Sequence, residues 1–396
     1  MTAIESSRTG HRIVLTALGM VPSTGGSAKT VGNFKKALGA EVVSFTRADK
    51  LAAEGSAIPG AVHVPISNNL RGRLFEWAGP IARHKADQLA ERADLMSCHI
   101  LFRYHAHWVA QWAKRRNIPY WVVPHGCLDP YVFTYRRAMK RVWMAGFGRR
   151  FLAGAAHVIF STESERRKAA TQHEGANCRV VHWPVAVVDL ANAEEIRQRM
   201  RSRLGLGDDQ RLLLCMGRLH GIKRLFETVA AVAMAKRSSV CLAVIGPDET
   251  VTAQQILAAA EQHGLQGRVF APGPAYGNAK LEWMHASDGS ISLSLKENFG
   301  HSAAEALSVG KPVILSPGND LCLDLAPHRC GWFLSDDRIE TAAAAIREWA
   351  DTAPGELQAM GQRGRELMLR DFTFEKFAAQ LNELSIEAIE QRASAP

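Results

Sequence analysis

The stretch SISLSLKENFGHSAAEALSVGKPVIL, residues 290–315, decides the class of fold to which this chain belongs. Residues 290–295 alternate small polar with apolar side chains, which predicts a half-buried strand. A turn follows over residues 296–300, and helix formers from His301 onward end at Gly310 and Pro312, where a second apolar run begins. A strand, a crossover helix and a parallel strand in succession predict part of an open α/β sheet.

The turn before the predicted helix is the candidate binding site. Open α/β sheets bind ligands at the carboxyl edge of their strands, where this turn lies. The free N–H groups of the helix N-terminus favour anionic oxygen. Glu297 on the turn and Glu305, about one turn into the helix, can reach different hydroxyls of one ligand. A pair of glutamates alone would indicate little, because solvated glutamates are common on helices.

Three segments resemble the paired-glutamate signature of the retaining, two-domain glycosyltransferases of family 4: Glu297-Asn298-Phe299-Gly300-His301, Glu305-Ala306-Leu307 and Gly310-Lys311-Pro312-Val313-Ile314. The resemblance implies the GT-B fold, in which two Rossmann-like, doubly wound α/β domains face each other across a cleft. It also implies that Glu297 contacts the donor sugar and Glu305 the ribose of a nucleoside diphosphate sugar. The nucleotide-sugar site would further include Asn298, Phe299 and Gly300, of which the last two offer backbone amides.

The length and the alternation of strands and helices predict two domains. A chain of 396 residues is too long for one core. Apolar strand-like runs alternate with helical stretches up to a linker at residues 181–185, and a second series follows. We expect an acceptor-binding domain over 1–183 and a nucleotide-sugar-binding domain over 184–372. The resemblance implies that a helix within 373–396 crosses back to the first domain.

Charge is distributed unevenly along the chain. The net charge is +9, with 26 Lys and Arg against 12 Asp and Glu in residues 1–185, and 22 against 27 thereafter. The first domain is therefore expected to meet the acidic partner. Seven scattered cysteines without a CxxC pair suggest neither disulfides nor a zinc site, and no run is long enough to span a bilayer. These features favour a cytoplasmic protein.

A pair of cations is the candidate diphosphate site. Arg218 and Lys223 follow a buried strand and are accompanied by the flexible residues Gly217 and Gly221. Such cations can hold the oxygens of a diphosphate from two directions, although most surface Lys and Arg are merely solvated. The resemblance places the diphosphate-binding Arg/Lys pair of the family here, and we predict catalytic roles for both. Neutralising the leaving diphosphate is the electrostatic requirement of glycosyl transfer.

Candidate residues of the first domain lie in the loops that follow its strands. Gly25 and Gly26 allow close approach of a phosphate, although a plain turn explains them too. The resemblance places such a Gly-Gly loop over the donor phosphate and the acceptor, so both glycines are candidates for the nucleotide-sugar site. The loop is not a dinucleotide fingerprint, because the GxGxxG spacing is absent. The resemblance places His99 beside the donor sugar, although Ser97 replaces the first histidine of the usual pair, and a structural role for His99 is equally open. His125, in His-Gly-Cys-Leu-Asp-Pro, is predicted to shape the acceptor cleft, with Arg103 and Lys29 as further candidates.

Residues 135–151 interleave basic with aromatic side chains. At helical spacing Arg136, Lys140 and Trp143 share a side, which suits a helix on an anionic membrane. The alternative is a solvated helix that buries its aromatic residues. Nucleic acid is not favoured, because no recognition motif accompanies the charge.

The function predicted from these features is transfer of a hexose-type sugar from a UDP- or GDP-sugar to a saccharide or lipid-linked acceptor. The product would carry an α-linkage and serve cell-surface polysaccharide or glycolipid assembly, at the inner face of the membrane. Neither a cofactor nor a metal ion is expected, because no Asp-x-Asp pair is present and Arg218 and Lys223 supply positive charge. The alternatives are a sugar-nucleotide 2-epimerase of the same fold and a catalytically silent module that binds a sugar nucleotide or a membrane partner.

Overall fold

The structure, a computed structural model, describes residues 10–70, 72 and 76–394. The chain divides into two compact units, Met1–Pro184 together with Phe374–Pro396, and Val185–Thr373. Each unit has its own parallel sheet and its own buried apolar core. The predicted pair of doubly wound α/β units with parallel sheets is confirmed.

The first unit contains a seven-stranded parallel sheet with the order β3-β2-β1-β4-β5-β6-β7. Its strands are β1 Ile13–Leu18, β2 Glu41–Thr46, β3 Val62–Pro65, β4 Leu95–His99, β5 Tyr120–Val123, β6 His157–Phe160 and β7 Cys178–Val180. The described helices are α1 Gly26–Leu38, α2 Ala48–Glu54, α3 Pro80–Glu91, α4 Tyr104–Arg116, α5 Arg137–Trp143, α6 Arg149–Ala153 and α7 Glu163–Ala169. The central strands are apolar and buried on both faces, as a parallel sheet covered by helices requires.

The second unit contains a six-stranded parallel sheet with the order β10-β9-β8-β11-β12-β13. Its strands are β8 Arg211–Met216, β9 Val240–Ile245, β10 Val269–Gly273, β11 Gly289–Ser292, β12 Val313–Leu315 and β13 Gly331–Phe333. Its described helices are α8 Ala193–Arg203, α9 Leu225–Ala235, α10 Ala253–Gln262, α11 Gly277–Ala286, α12 His301–Ser308, α13 Cys322–Leu325, α14 Ile339–Asp351 and α15 Pro354–Asp371.

The last helix, α16 Phe374–Ala393, belongs to the first unit and packs on α1. The rings of Phe34 and Phe377 meet edge to face with their centroids 5.1 Å apart. The Asn382 side chain donates to the carbonyl of Ala37 at 3.5 Å. The apolar core of the first unit is therefore completed by the end of the chain.

Strand order reverses once in each sheet. In the first unit the reversal lies between β1 and β4, and in the second it lies between β8 and β11. Loops leaving neighbouring strands on either side of a reversal diverge, and the crevice between them is where open α/β sheets hold ligands. Of the predicted site residues, Gly25 follows β1 and His99 ends β4, while Arg218 follows β8 and Glu297 follows β11.

One predicted strand is shorter than its sequence pattern indicates. The alternation over 290–295 predicts a continuous strand, but β11 ends at Ser292. Leu295 instead donates its N–H to the carbonyl of Ile222 at 2.9 Å, and the carbonyl of Ser294 accepts from the Ser316 hydroxyl at 2.7 Å. In this segment, contacts with the loops at Ile222 and Ser316 thus take the place of sheet pairing.

Candidate functional site

Lys223 and Glu297 form an ion pair across the reversal between β8 and β11. Lys223 ends a short 3₁₀ turn, Gly221–Lys223, that follows β8, while Glu297 lies on the loop after β11. The hydrogen bond from the Leu295 N–H to the carbonyl of Ile222 joins these two loops. The structure thus brings together two predicted residues that lie 74 positions apart in the sequence.

The loop of Glu297 is fixed by its main chain. Its N–H donates to the carbonyl of Gly318 at 2.8 Å, and its carbonyl accepts from the N–H of Asp320 at 2.9 Å. Gly300 has a left-handed backbone, with φ +72°, and caps α12. A Cβ atom on Gly300 would lie 2.7 Å from the amide of Asn319, which is buried. Glycine is required here by both conformation and space.

Phe299 serves as an anchor within this turn. Its side chain is buried, and its ring lies 4.9 Å from that of His301 and 6.1 Å from that of Phe372, measured between centroids. The side chain is therefore part of the core, and only the main chain of Phe299 and Gly300 remains for a ligand. Asn298 lies beside Phe299 on the same turn.

Glu305 is paired with a residue that the sequence analysis did not identify. Lys280, on α11, donates to Oε1 of Glu305 on α12 at 2.9 Å. The two side chains are mostly buried. Nothing in the local pattern around Lys280 distinguishes it from a solvated helical lysine, so its role became visible only through the packing of α11 near α12.

Arg218 is likewise held by an unpredicted partner. Its Nη1 lies 2.6 Å and 2.7 Å from the two carboxylate oxygens of Glu249, on the loop after β9. Gly217, just before Arg218, has φ +136°, and a Cβ atom on Gly246 would lie 1.8 Å from the carbonyl oxygen of Gly217. The ends of β8 and β9 therefore approach so closely that only glycine fits between them.

In the first unit, Gly25 lies at the start of α1, in the loop after β1. Its φ of +63° is favourable for glycine, and a Cβ atom there would meet nothing within 4 Å. Gly26 begins the helix and Lys29 lies in its first turn, and all three residues are exposed. The structure thus leaves the N-terminus of a 13-residue helix open to solvent beside the strand reversal.

The two predicted site histidines of the first unit, His99 and His125, contact each other. Nδ1 of His99 lies 2.9 Å from Nε2 of His125, and the His99 ring meets Phe34 edge to face at 4.8 Å between centroids. His99 is fully buried, and burial together with the neighbouring His125 and His105 holds the pKa of His99 well below its usual value. His99 is accordingly neutral near pH 7, and His125 is the more exposed of the pair.

The loops around these histidines contain unusual backbone conformations. Ile100, Phe102 and His125 all have positive φ, between 52° and 72°. Such conformations are costly outside glycine and are concentrated at functional sites. The buried carboxylate of Glu165 accepts from the N–H of Gly126 at 2.7 Å and thereby supports the turn of His125. No sequence signal distinguishes Glu165 from any other acidic residue in the first turn of a helix.

Arg103 immediately precedes α4 and is already paired. Its Nε lies 3.0 Å from Oε2 of Glu76, and both side chains are about one third exposed. Burial raises the pKa of Glu76, while Arg103 opposes that rise. An acceptor that used Arg103 would meet this carboxylate as well.

The basic segment differs from its prediction. Arg136 has a left-handed backbone, with φ +52°, and precedes α5, so it does not share a helical face with Lys140 and Trp143 as the sequence suggested. A π-helical turn, Met144–Gly148, then shifts the register of the residues that follow. The ring of Trp143 packs inward against Phe102, with centroids 4.9 Å apart.

The described residues contain neither a helix suited to span a membrane nor a cluster suited to hold a metal ion. Within residues 10–70, 72 and 76–394, no helix combines the length and apolar character needed to cross a bilayer. In the same ranges, no group of three or more His, Cys, Asp or Glu side chains is arranged to hold a metal ion.

Comparison with known sequences identifies both halves of the chain. Residues 196–367 match the model described as glycosyl transferases group 1, and residues 25–185 match that of a glycosyl transferase 4-like domain. A D-inositol 3-phosphate glycosyltransferase of Xylanimonas cellulosilytica is 25% identical over 387 residues, covering 89% of each chain. A putative teichuronic acid biosynthesis glycosyltransferase, TuaC, of Bacillus subtilis is 25% identical over 264 residues, which cover 64% of this chain and 62% of the relative.

Comparison with solved structures agrees. The Anabaena protein Alr3699/HepE, crystallised with UDP and glucose, superposes with a TM-score of 0.74 at 17% identity, over 95% of this chain and all of the other. At that identity the likeness concerns the fold alone. The predicted family is confirmed: this chain belongs to the family 4 glycosyltransferases of the GT-B fold.

Proposed function

We propose that the protein moves a hexose-type sugar from a nucleoside diphosphate sugar to an acceptor hydroxyl, with retention of configuration and formation of an α-linkage. The observation that carries the proposal is the group of charges at the strand reversal of the second unit. There Arg218 and Lys223 follow β8, while Glu297 and Glu305 lie on either side of the N-terminus of α12. Cations and helix N–H groups suit a diphosphate, and carboxylates suit hydroxyls.

Each group has a distinct part in the proposed reaction. Arg218 and Lys223 neutralise the charge that develops on the leaving nucleoside diphosphate. Glu297 accepts a hydrogen bond from the sugar, and Glu305 accepts from the ribose. The proposed chemistry uses the cations of the protein itself, with neither a metal ion nor a cofactor besides the donor. The UDP and glucose in the Anabaena structure of the same fold support a nucleotide sugar as donor.

The acceptor is proposed to bind the basic first unit. Gly25, Gly26 and Lys29 offer a helix N-terminus and a cation, while His125 and Arg103 line the loops after β5 and β4. The net positive charge of this half favours a phosphate-bearing saccharide or a lipid-linked acceptor. Assembly of a cell-surface polysaccharide or glycolipid fits such an acceptor, and the name of the Bacillus relative supports it.

A panel of UDP- and GDP-sugars tests the reaction. Release of the nucleoside diphosphate from one donor, strongly reduced in Glu297→Gln and Arg218→Ala but kept in Asp351→Asn, is the expected result. Asp351 pairs with Arg237, which lies just before β9 and so at the amino ends of the strands, away from the proposed site. Asp351→Asn therefore serves as a matched control. Epimerised nucleotide sugar without nucleotide release would indicate an epimerase, and binding without turnover a silent module. The anomeric configuration of the product, measured by NMR, tests retention.

We also propose that the surface formed by α5 and the two residues before it meets an anionic membrane. Tyr135, Met139 and Val142 are exposed, with Val142 exposed by 72%. Basic residues alternate with them, which suits an interfacial helix beside anionic lipid: Arg136, Arg137, Lys140 and Arg141. The ring of Trp143 packs inward and belongs to the core. The apolar part of the proposed membrane surface is therefore formed by Tyr135, Met139 and Val142.

Sedimentation with vesicles containing anionic lipid tests this contact. Val142→Glu is expected to reduce binding at both low and high salt, and Arg141→Glu chiefly at low salt, because only the charge contribution is screened. The control is Leu257→Glu, which likewise replaces an exposed apolar residue by glutamate but lies in the second unit. Absence of wild-type binding at low salt would refute the proposal.

A further inference from the structure

We infer that Glu249 competes with the donor diphosphate for Arg218. In the free enzyme Glu249 occupies Arg218 and thereby lowers the affinity of the enzyme for nucleoside diphosphates. The inference rests on the proposed function. Glu249 has no role in the proposed chemistry. Both of its carboxylate oxygens contact Nη1 of Arg218, at 2.6 Å and 2.7 Å.

The position of Glu249 is built into the fold. The loop after β9 is joined to the loop after β8 by two backbone hydrogen bonds: Leu219 N–H to the Pro247 carbonyl at 2.8 Å, and Val251 N–H to the Leu219 carbonyl at 2.9 Å. The hydroxyl of Thr250 accepts from the Gly221 N–H at 2.9 Å. Residues on both sides of Glu249 are therefore fixed to the segment that carries Arg218.

Charge at the site is balanced before any ligand arrives. Three ion pairs of the second unit involve the proposed donor-binding residues: Arg218 with Glu249, Lys223 with Glu297, and Lys280 with Glu305. A nucleoside diphosphate brings additional negative charge. It gains the full charge of Arg218, Lys223 or Lys280 when the carboxylate paired with that residue gives up its partner.

The pair of Glu249 is the one that opens most readily. Arg218 and Glu249 are exposed by 56% and 38%, whereas both members of the other two pairs are exposed by 30% or less. Exposed ion pairs contribute little, since water replaces the partner at small cost. Breaking a buried pair leaves a charge without compensation and costs far more. A diphosphate is thus expected to displace Glu249 from Arg218 before it disturbs either of the other two pairs.

Calorimetric titration of the full-length protein with UDP and with GDP tests the inference at two salt concentrations. Glu249→Gln is expected to bind the nucleotide about two- to fivefold more tightly than the wild type at low salt, and the gain should shrink at high salt. Glu249→Ala provides a second variant. Asp351→Asn removes a carboxylate from the exposed pair with Arg237, matches the change in net charge, and should leave affinity unchanged.

A double-mutant cycle separates competition for Arg218 from general repulsion of phosphate. In the Arg218→Gln background, Glu249→Gln should bring no further gain. If the wild type binds nucleotide and Glu249→Gln binds it equally well or more weakly, the inference is overturned while the proposed donor class stands. Weaker binding would assign Glu249 to the orientation of Arg218. If the wild type binds neither nucleotide, the proposed donor class fails together with the inference.

Discussion

Lys223 and Glu297 meet at the point where the strand order of the second unit reverses, so that one ion pair joins the loops leaving β8 and β11. Both side chains are largely buried. Each holds the other in place through a charge-assisted hydrogen bond. A ligand at this edge of the sheet therefore meets a cation and a carboxylate already oriented.

Removing Lys223 is expected to weaken the site in two ways. Lys223→Met eliminates a cation for the diphosphate and leaves Glu297 without its partner. We expect turnover to fall about 100-fold and nucleotide affinity about tenfold, as measured by donor hydrolysis and calorimetry. Lys236→Met, at an exposed lysine that ends α9, is the control. Equal activity in the two variants would remove Lys223 from the mechanism.

The two glutamates are expected to differ in their effects. Glu297→Gln should lower turnover about 100-fold while nucleotide affinity stays unchanged or rises, because Lys223 is then released. Glu305→Gln should weaken nucleotide binding about tenfold, the size of one charge-assisted hydrogen bond, with a smaller effect on turnover. Steady-state kinetics and nucleotide titration on both variants measure the difference. Equal losses of affinity with intact turnover would contradict this division.

Gly300 offers a test of the turn itself. Gly300→Ala combines a backbone at φ +72° with a Cβ atom 2.7 Å from the Asn319 amide, while Gly310→Ala has φ +77° and nothing within 4 Å. We expect a loss of about 1 kcal/mol of unfolding free energy for Gly310→Ala and a further loss of about 1–3 kcal/mol for Gly300→Ala. Chemical denaturation measures both. Identical losses would show that Asn319 moves aside freely.

His105 predicts how stability depends on pH. Burial lowers its pKa to about 4, and Nε2 lies 2.9 Å from the His99 carbonyl, to which the neutral ring donates. The unfolded chain takes up this proton below about pH 6.5 and the folded protein only near pH 4, so the contribution is complete above pH 6.5 and is lost as pH falls. The full loss is about 3 kcal/mol.

The comparison is between the wild type and His105→Gln, whose side-chain amide can still donate to the carbonyl. Unfolding free energy is measured by urea denaturation at pH 7 and pH 5. The wild type should lose about 2 kcal/mol more than the variant over this interval. Parallel losses would show that other groups, such as the buried His99, dominate the response.

Local patterns predicted the elements that a short segment can specify. The start of α12 at His301 and the strand β12 at residues 313–315 agree with the predictions, because glycine, proline and apolar runs act over a few residues. The end of β11 at Ser292 was missed, because the Leu295 N–H donates to one distant loop and the Ser294 carbonyl accepts from another, and these hydrogen bonds override the alternation. The left-handed backbone of Arg136 was also invisible, because arginine gives no sign of that conformation.

The sequence by itself determined the class of fold and the residue types at the proposed donor site, because hydrophobic periodicity, glycine and the spacing of Glu297 and Glu305 are local properties of the chain. Only the tertiary structure decided which charges are paired. Lys280 lies 25 positions from Glu305, and Glu249 lies 31 from Arg218. A solvated lysine and one that holds a carboxylate are identical in sequence, and they differ only once the sheet brings its carboxyl-edge loops together.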